Sequence, residues 1–91
     1  MDLNFNYSLR FDEDWDKHFK KFDASVQEQL VKKINQLRQP LKHRHMKQGL
    51  PYFVEQAGGY RIAFEIDEQT KTKIIRFVGT HKQYEGWYST A

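Results

Sequence analysis

The residues best suited to chemistry are an arginine and a histidine in the second half of the chain. Arg61 stands in the apolar segment "YRIAFEI", and because an unpaired guanidinium is costly to bury, it must face water, a carboxylate or a phosphate. Its planar fork matches phosphate well, although a cross-strand ion pair with Glu55 or Glu65 is an equally good interpretation. His81 follows a predicted strand, and an imidazole both gives and takes protons near neutral pH. The simpler interpretation of His81 is a surface side chain or a ring packed against Tyr84.

Aromatic side chains crowd the C-terminal stretch "RFVGTHKQYEGWY" around this histidine. Tyr84, Trp87 and Tyr88 are able to stack on nucleic-acid bases, but rings at helical spacing more often pack onto the protein. Arg76 and Lys82 add positive charge to the same stretch. The sequence therefore leaves two interpretations open, a nucleic-acid surface and an aromatic plug over a hydrophobic core.

A second basic segment, "LKHRHMKQGLP", connects the two halves of the chain. Arg44 and Lys47 suit contacts with phosphates, or the segment is simply solvated. His43 and His45 are two residues apart with no third ligand nearby, which is a weak metal signal. We expect neither a metal nor a cofactor.

Length and composition limit the architecture and the class of protein. The chain has 91 residues, a net charge of +3 and no cysteine, so we expect a single domain over residues 1–91 that is stabilised by packing. The sequence shows no membrane span or signal peptide, and we expect a cytoplasmic protein. It also has no glycine-rich phosphate loop and no nucleophile elbow, which argues against ATP use and triad hydrolysis.

Hydrophobic periodicity predicts one strand and two helices in the first half. "NFNYSLRF" alternates as a half-buried strand does. The aromatic residues that follow at helical spacing predict a short helix with Asp12 as its cap, and a second helix with caps at Asp23 and Ser25 ends at Pro40. The predicted apolar stripes are, for the first helix, Phe11, Trp15, Phe19 and Phe22, and for the second, Val26, Leu30, Ile34 and Leu37.

Three further strands are predicted in the second half, after an irregular connection over residues 41–51. They are "YFVEQA", "YRIAFEI" and "TKIIRFVG", separated by Gly58-Gly59 and by "DEQTK". The predicted fold is therefore α+β with the order β-α-α-β-β-β: an antiparallel sheet with an N-terminal helical hairpin on one face and an open concave face opposite.

The turn "DEQTK" fixes a register between the last two strands. If Asp67 lies opposite Thr72, Arg61 faces Val78 and Ala63 faces Arg76, and both arginines then lie on the face without helices.

Taken together, "LKHRHMKQGLPYF", "GGYRIAFEID" and "IIRFVGTHKQYEGWY" resemble toxins of the RelE/ParE superfamily from type II toxin–antitoxin systems. The resemblance covers nearly the whole chain. It implies an open sheet face that, in the RelE branch, cleaves messenger RNA on the ribosome through attack of the ribose 2′-hydroxyl on the adjacent phosphate, without a metal.

The same resemblance implies roles for individual residues. Arg61 matches the arginine that stabilises the transition state, His81 a general acid, and Tyr84 or Tyr88 the C-terminal tyrosine region. The residues implied to contact RNA are Arg44, Lys47, Arg76, Lys82 and Trp87. Glu55 replaces a lysine found on the corresponding strand in strong nucleases, so it is either the general base or a neutralising partner of Arg61.

Two other functions stay open. One is inhibition of DNA gyrase, as in ParE-like members, and the other is protein binding by a toxin fold that has lost its activity. In each case we expect a cognate antitoxin as partner, in an arrangement such as a heterotetramer. The nuclease interpretation adds the ribosome and messenger RNA, and no interpretation involves a membrane.

Overall fold

The order of elements agrees with the predicted α+β class. The computed structural model describes residues 7–39, 44–45 and 52–89. Its elements are β1 (Ser8–Phe11), α1 (Trp15–Phe19), α2 (Ala24–Gln36), β2 (Arg44–His45), β3 (Phe53–Ala57), β4 (Tyr60–Asp67), β5 (Thr72–Thr80) and α3 (His81–Ser89). Two elements were not predicted: β2, which lies in the segment expected to be irregular, and the C-terminal helix α3. No helix of the described ranges is long and apolar enough to cross a membrane.

Among the described residues the sheet has five strands, in the order β1-β5-β4-β3-β2. β3 pairs antiparallel with β4, and β4 with β5, as predicted, and the unpredicted β2 pairs antiparallel with β3. β1, however, runs parallel to β5, with Ser8 opposite Thr72. No turn joins these two strands directly, so the local sequence does not fix their relative direction.

The helices form where the aromatic and aliphatic stripes predict them. In α1 the Trp15 ring lies 4.6 Å from Phe11 and 4.5 Å from Phe19 between centroids. α2 begins after Asp23, whose Oδ1 accepts a 3.0 Å hydrogen bond from the Val26 backbone N–H, so this predicted cap is confirmed. The predicted cap at Asp12 is wrong, because the residue before α1 is Asp14 and it forms no side-chain cap.

Each face of the sheet carries a hydrophobic cluster. The larger one, under α1 and α2, is built from buried residues of α2 and of the central strands, with the α1 aromatics packed against it: Leu30, Ile34, Leu37, Ala57, Ile62, Phe64, Ile75 and Val78. The smaller one, on the opposite face, joins Ala63 and Phe77 of the sheet to Tyr84 of α3, with Val54, Trp87 and Tyr88 around them. The face predicted to be open is therefore partly covered by α3.

The register between β4 and β5 changes at a β-bulge. Asp67 lies opposite Thr72 as predicted, but the pairing shifts between Ala63 and Phe64. Beyond the bulge Arg61 pairs with Gly79, and Ala63 with Phe77, so the predicted pairs Arg61–Val78 and Ala63–Arg76 are wrong. The extra residue of a bulge stays on one strand only, and here it displaces the C-terminal half of β5 by one position.

Candidate active site

The start of β4 and the start of α3 bring Arg61 and His81 to the same region. Arg61 pairs with Gly79, and His81 follows Gly79 by two residues. Strand alternation places Arg61 on the face of Ala63, which packs against Tyr84 of α3. The Arg61 charge acts on Tyr84, and the Tyr84 and His81 ring centroids are 6.2 Å apart. Tyr84 is thus the common neighbour of the two predicted catalytic residues.

No described carboxylate forms an ion pair with Arg61, which is half-buried. The two carboxylates proposed as its partners are engaged elsewhere: Glu65 pairs with Arg76 and Glu55 with Lys33. Arg61 therefore presents a guanidinium to this face of the protein, which is the arrangement that a phosphate ligand requires.

His81 is the first residue of α3 and its side chain is exposed. Its Nε2 lies 2.9 Å from Glu85 Oε2, one helical turn further on. Because a carboxylate accepts hydrogen bonds and donates none, Nε2 carries the proton in this contact and Nδ1 is the nitrogen left for a ligand. Sequence reasoning missed Glu85, although the spacing of four residues in "HKQYE" was a usable signal.

Tyr84 and Tyr88 form the aromatic wall beside this pair. Tyr84 is buried, and its ring centroid lies 5.0 Å from that of Tyr88. Burial raises the pKa of Tyr84. The neighbouring Tyr88 and Glu85 raise it as well, whereas the positive charge of Arg61 lowers it. Tyr84 therefore keeps its hydroxyl proton at neutral pH and is suited to donate a hydrogen bond rather than to act as a base.

Trp87 packs within the protein. Its ring stacks on Phe77 with centroids 5.0 Å apart and an interplanar angle of 14°, and it lies 5.2 Å from Tyr52. One side of the C-terminal stretch thus does fill a core, as the plug interpretation proposed, while the side with His81 and Glu85 stays exposed.

Arg76 is held by carboxylates, so the structure does not support its predicted role in binding RNA. Its guanidinium lies 2.7 Å from Glu65 and 3.3 Å from Asp12, and its Nε donates a 2.8 Å hydrogen bond to Glu65. Burial would lower the pKa of Arg76, but the hydrogen bond and charge of Glu65, with the charge of Asp12, raise it. Two negative partners leave little positive potential for a phosphate.

Glu55 lies on the other face of the sheet, so the structure corrects its predicted role beside Arg61. It pairs across the strands with Ile62 of the larger cluster, and its carboxylate lies 3.4 Å from Lys33 of α2. Directly opposite residues share a face, and the β3 residue opposite Arg61 is Gln56. Glu55 is therefore neither a base for a ligand at Arg61 nor its neutralising partner.

The remaining predicted contacts are placed only in part. Lys82 is the exposed second residue of α3, next to His81. Arg44 lies in β2, but its side chain, like the whole of Lys47, falls outside the described residues.

A capping box fixes the start of α3 and hence the position of His81. The Thr80 backbone N–H donates to Gln83 Oε1 at 2.9 Å, and the Gln83 N–H donates to Thr80 Oγ1 at 3.2 Å. A Cβ at Gly79 would lie 2.8 Å from Gln83 Oε1, so the glycine makes room for this turn. The motif "THKQ" carries the signal, which the sequence analysis did not use.

The arrangement offers a guanidinium, an imidazole oriented by a carboxylate and a neutral phenol on one surface. These groups can bind an anion, stabilise a developing negative charge and transfer a proton. No group of three or more His, Cys, Asp or Glu side chains able to hold a metal ion occurs among the described side chains.

Solved toxin structures share this fold. The toxin in the RelBE2 toxin–antitoxin complex from Mycobacterium tuberculosis superposes with a TM-score of 0.76 at 22% identity, covering 89% of this chain and 98% of that one. The intact RelBE complex of E. coli gives 0.67 at 28% identity, over 81% and 95%. The isolated E. coli RelE toxin gives 0.68 at 25% identity, over 93% and 99%.

A search of curated proteins finds no significant match to the sequence. A search of family models does find one. The model described as "ParE toxin of type II toxin-antitoxin system, parDE" matches residues 5–84. Together with the fold, this match shows that the chain belongs to the ParE toxin family of type II toxin–antitoxin systems, within the RelE/ParE superfamily.

Proposed function

We propose that this toxin is an mRNA endoribonuclease that acts on the ribosome and uses Arg61 and His81 as its catalytic residues. The observation that carries the proposal is the Arg61 guanidinium, which has no ion-pair partner among the described carboxylates and has Tyr84 as a neighbour in common with His81.

In the proposed reaction the ribose 2′-hydroxyl attacks the adjacent phosphorus. A new P–O2′ bond forms as the P–O5′ bond breaks, giving a 2′,3′-cyclic phosphate and a 5′-hydroxyl. Arg61 stabilises the extra negative charge on the phosphoryl oxygens. The 2′-hydroxyl proton passes to solvent. His81 acts as the imidazolium: it gives its Nδ1 proton to the leaving 5′-oxygen, keeps the Nε2 proton in the contact with Glu85, and regains a proton at Nδ1 from solvent after the reaction.

The neighbouring residues position the substrate. Tyr84 donates its hydroxyl proton to a ligand at Arg61, and Tyr88 stacks beside it. Lys82 contacts an adjacent phosphate from the exposed first turn of α3.

The test is cleavage of a defined messenger RNA in a reconstituted translation reaction, mapped by primer extension. We expect Arg61→Ala and His81→Ala each to lower the cleavage rate by about 100-fold or more. Arg10→Ala is the matched control, because Arg10 is an exposed strand arginine of β1 outside the proposed site, and it should cleave as the wild type does. Wild-type rates in both site variants, with circular dichroism spectra unchanged, would refute the proposal.

Inhibition of DNA gyrase is the second candidate, because the family model matching residues 5–84 describes ParE toxins. A supercoiling assay with purified gyrase separates the two. Inhibited supercoiling with no cut in the messenger RNA would replace the nuclease proposal by this one.

A cognate antitoxin is the partner we propose, by analogy with the toxin–antitoxin complexes of similar fold from M. tuberculosis and E. coli. Its acidic side chains would neutralise the surface around Arg61 and Lys82. Co-expression with the neighbouring reading frame, followed by size-exclusion chromatography, would show whether a heterotetramer forms.

A further inference from the structure

A pocket lies on the other side of α3 from the proposed catalytic residues. Its volume is about 280 Å³, just below the roughly 300 Å³ at which small-molecule sites usually begin, so it suits one ring system with a small substituent. α1, β5 and α3 supply the lining residues: His18, Lys21, Phe77, Val78, Gln83 and Trp87.

The walls of this pocket are aromatic. Phe77 and Trp87 stack nearly parallel, at 14°, and the His18 ring meets the edge of Phe77 with centroids 4.8 Å apart. Flat rings of this kind bind other flat rings by stacking, and nucleobases stack on aromatic side chains regardless of sequence.

The polar groups that the pocket offers to a ligand are mainly hydrogen-bond donors. Lys21 brings an ammonium group that forms no ion pair within the described part of the chain, and none of the lining residues is acidic. The Gln83 oxygen accepts the Thr80 N–H, which leaves its NH₂ group for a ligand. Burial and the charge of Lys21 lower the pKa of His18, so at neutral pH its uncharged ring has one donor and one acceptor nitrogen.

We propose that this pocket binds a nucleoside 5′-monophosphate unit, with the base against the partly exposed Trp87 ring, which stacks on the buried Phe77, and the phosphate at Lys21. Gln83 and His18 then contact the edge of the base. An anionic ligand with a flat ring would both stack on the aromatic wall and form an ion pair with Lys21, whereas an acidic peptide would form only the ion pair.

Two sources share this chemistry, a free nucleotide and one nucleotide of an RNA strand. Gln83 and Trp87 lie on one side of α3, and His81 and Glu85 lie on the other, with Lys82 exposed between them. A strand crossing the first turn of α3 would therefore reach both the pocket and the catalytic residues. This assignment to the RNA substrate rests on the proposed function, but binding of the nucleotide does not.

Binding can be measured without any cleavage. Trp87 lines the pocket, and the sequence has only one other tryptophan, Trp15, so Trp15→Phe gives a protein whose fluorescence reports on the pocket. Titration with adenosine 5′-monophosphate should quench this signal, and adenosine or inorganic phosphate alone should bind more weakly.

Matched variants in the Trp15→Phe protein locate the site. Lys21→Met should weaken binding by about tenfold or more, the effect expected for losing a charged contact. Lys20→Met is the control, since Lys20 pairs with Asp16 and does not line the pocket. Arg61→Ala should also leave binding unchanged, and this separates the pocket from the proposed catalytic site.

A competition experiment distinguishes the two sources of the nucleotide. Competition by a 2′-O-methyl RNA tetranucleotide, which cannot be cleaved, assigns the pocket to RNA, and nucleotide binding without such competition assigns it to a free nucleotide. The proposal is overturned if the nucleotide does not bind, if Arg61→Ala abolishes binding while Lys21→Met preserves it, or if a glutamate-rich peptide binds in place of the nucleotide. A failed cleavage assay with intact nucleotide binding would refute only the proposed function.

Discussion

The buried ammonium group of Lys73 should make stability depend on pH in an unusual direction. Lys73 is 1% exposed in β5. Its Nζ donates a 2.7 Å hydrogen bond to the Gln39 carbonyl oxygen and lies 4.4 Å from the Tyr7 ring centroid. Burial lowers the pKa of Lys73 to about 8, against the opposing charges of Glu55 and Glu68.

The direction of this pH dependence follows from how tightly the native and unfolded states bind the Lys73 proton. Between about pH 8 and pH 10.5 the unfolded chain holds the Lys73 proton more tightly than the native protein does, so the free energy of unfolding rises with pH across this window. A lowering from 10.5 to about 8 corresponds to about 3 kcal/mol in total, at roughly 1.4 kcal/mol per pH unit. Most of it, about 2 kcal/mol, should be measurable between about pH 7 and pH 10.

Urea unfolding of the wild type and of Lys73→Met, followed by tryptophan fluorescence across this range, isolates the contribution. Relative to the variant, the free energy of unfolding of the wild type should rise by about 2 kcal/mol as pH rises. Groups common to both proteins cancel in this difference, so it reports on Lys73 alone. Lys71→Met is the matched control. The hydrogen bond and charge of Glu68 raise the pKa of the exposed Lys71, so the wild type should lose stability relative to that variant at high pH. A Lys73→Met difference that stays constant with pH would refute the argument that burial destabilises this charge.

Three further substitutions, the first with a matched control, test the framework around the site. Gly79→Ala should cost about 1–3 kcal/mol of unfolding free energy, since its Cβ would lie 2.7 Å from a ring carbon and 2.8 Å from an amide oxygen. Gly59→Ala, whose Cβ would meet nothing within 4 Å, should cost less, and equal costs in urea titrations would contradict the steric argument. Asp23→Ala should lower the melting temperature at neutral pH and have little effect in acid. A backbone hydrogen bond lowers the pKa of Asp23, so the stabilisation by this cap is lost as pH falls through the lowered pKa. A loss of stability that is independent of pH would exclude this cap. Glu65→Gln should cost about 1–2 kcal/mol in urea unfolding by weakening the bond to Arg76, and an unchanged midpoint would show that the ion pair contributes nothing.

The helices and central strands could be predicted because their signals are local. The α2 stripe needs only the spacing of Leu30, Ile34 and Leu37, all of which are buried. The hairpin between β3 and β4 needs only Gly58 and Gly59, and Gly58 adopts the positive φ of 61° that a two-residue turn demands.

The bulge and the parallel edge strand could not be predicted, because they depend on contacts distant in sequence. "YRIAFEI" alternates without a break across the register shift at Ala63 and Phe64, so its pattern contains no sign of the extra residue on β5. The pairing of β1 with β5 depends on which edge the helical hairpin leaves free, a property of the packed protein.

The position of Glu55 was predictable in principle. A two-residue turn at Gly58 and Gly59 fixes Gln56 opposite Arg61, and alternation then sends Glu55 to the other face. The resemblance to a nuclease family favoured a carboxylate near the arginine, whereas strand geometry already excluded this one.

The helix α3 contributes both to the smaller hydrophobic cluster and to the proposed catalytic site. Tyr84 and Trp87 close the smaller cluster, which fixes the helix against the sheet, and the capping box of Thr80 and Gln83 fixes where it begins. Through these contacts His81 is held beside the start of β4 without burying its own side chain. The aromatic plug and the proposed chemistry are therefore not alternatives: the buried side of the helix determines the geometry of the exposed side, and loosening the first should impair the second even though no catalytic group is touched.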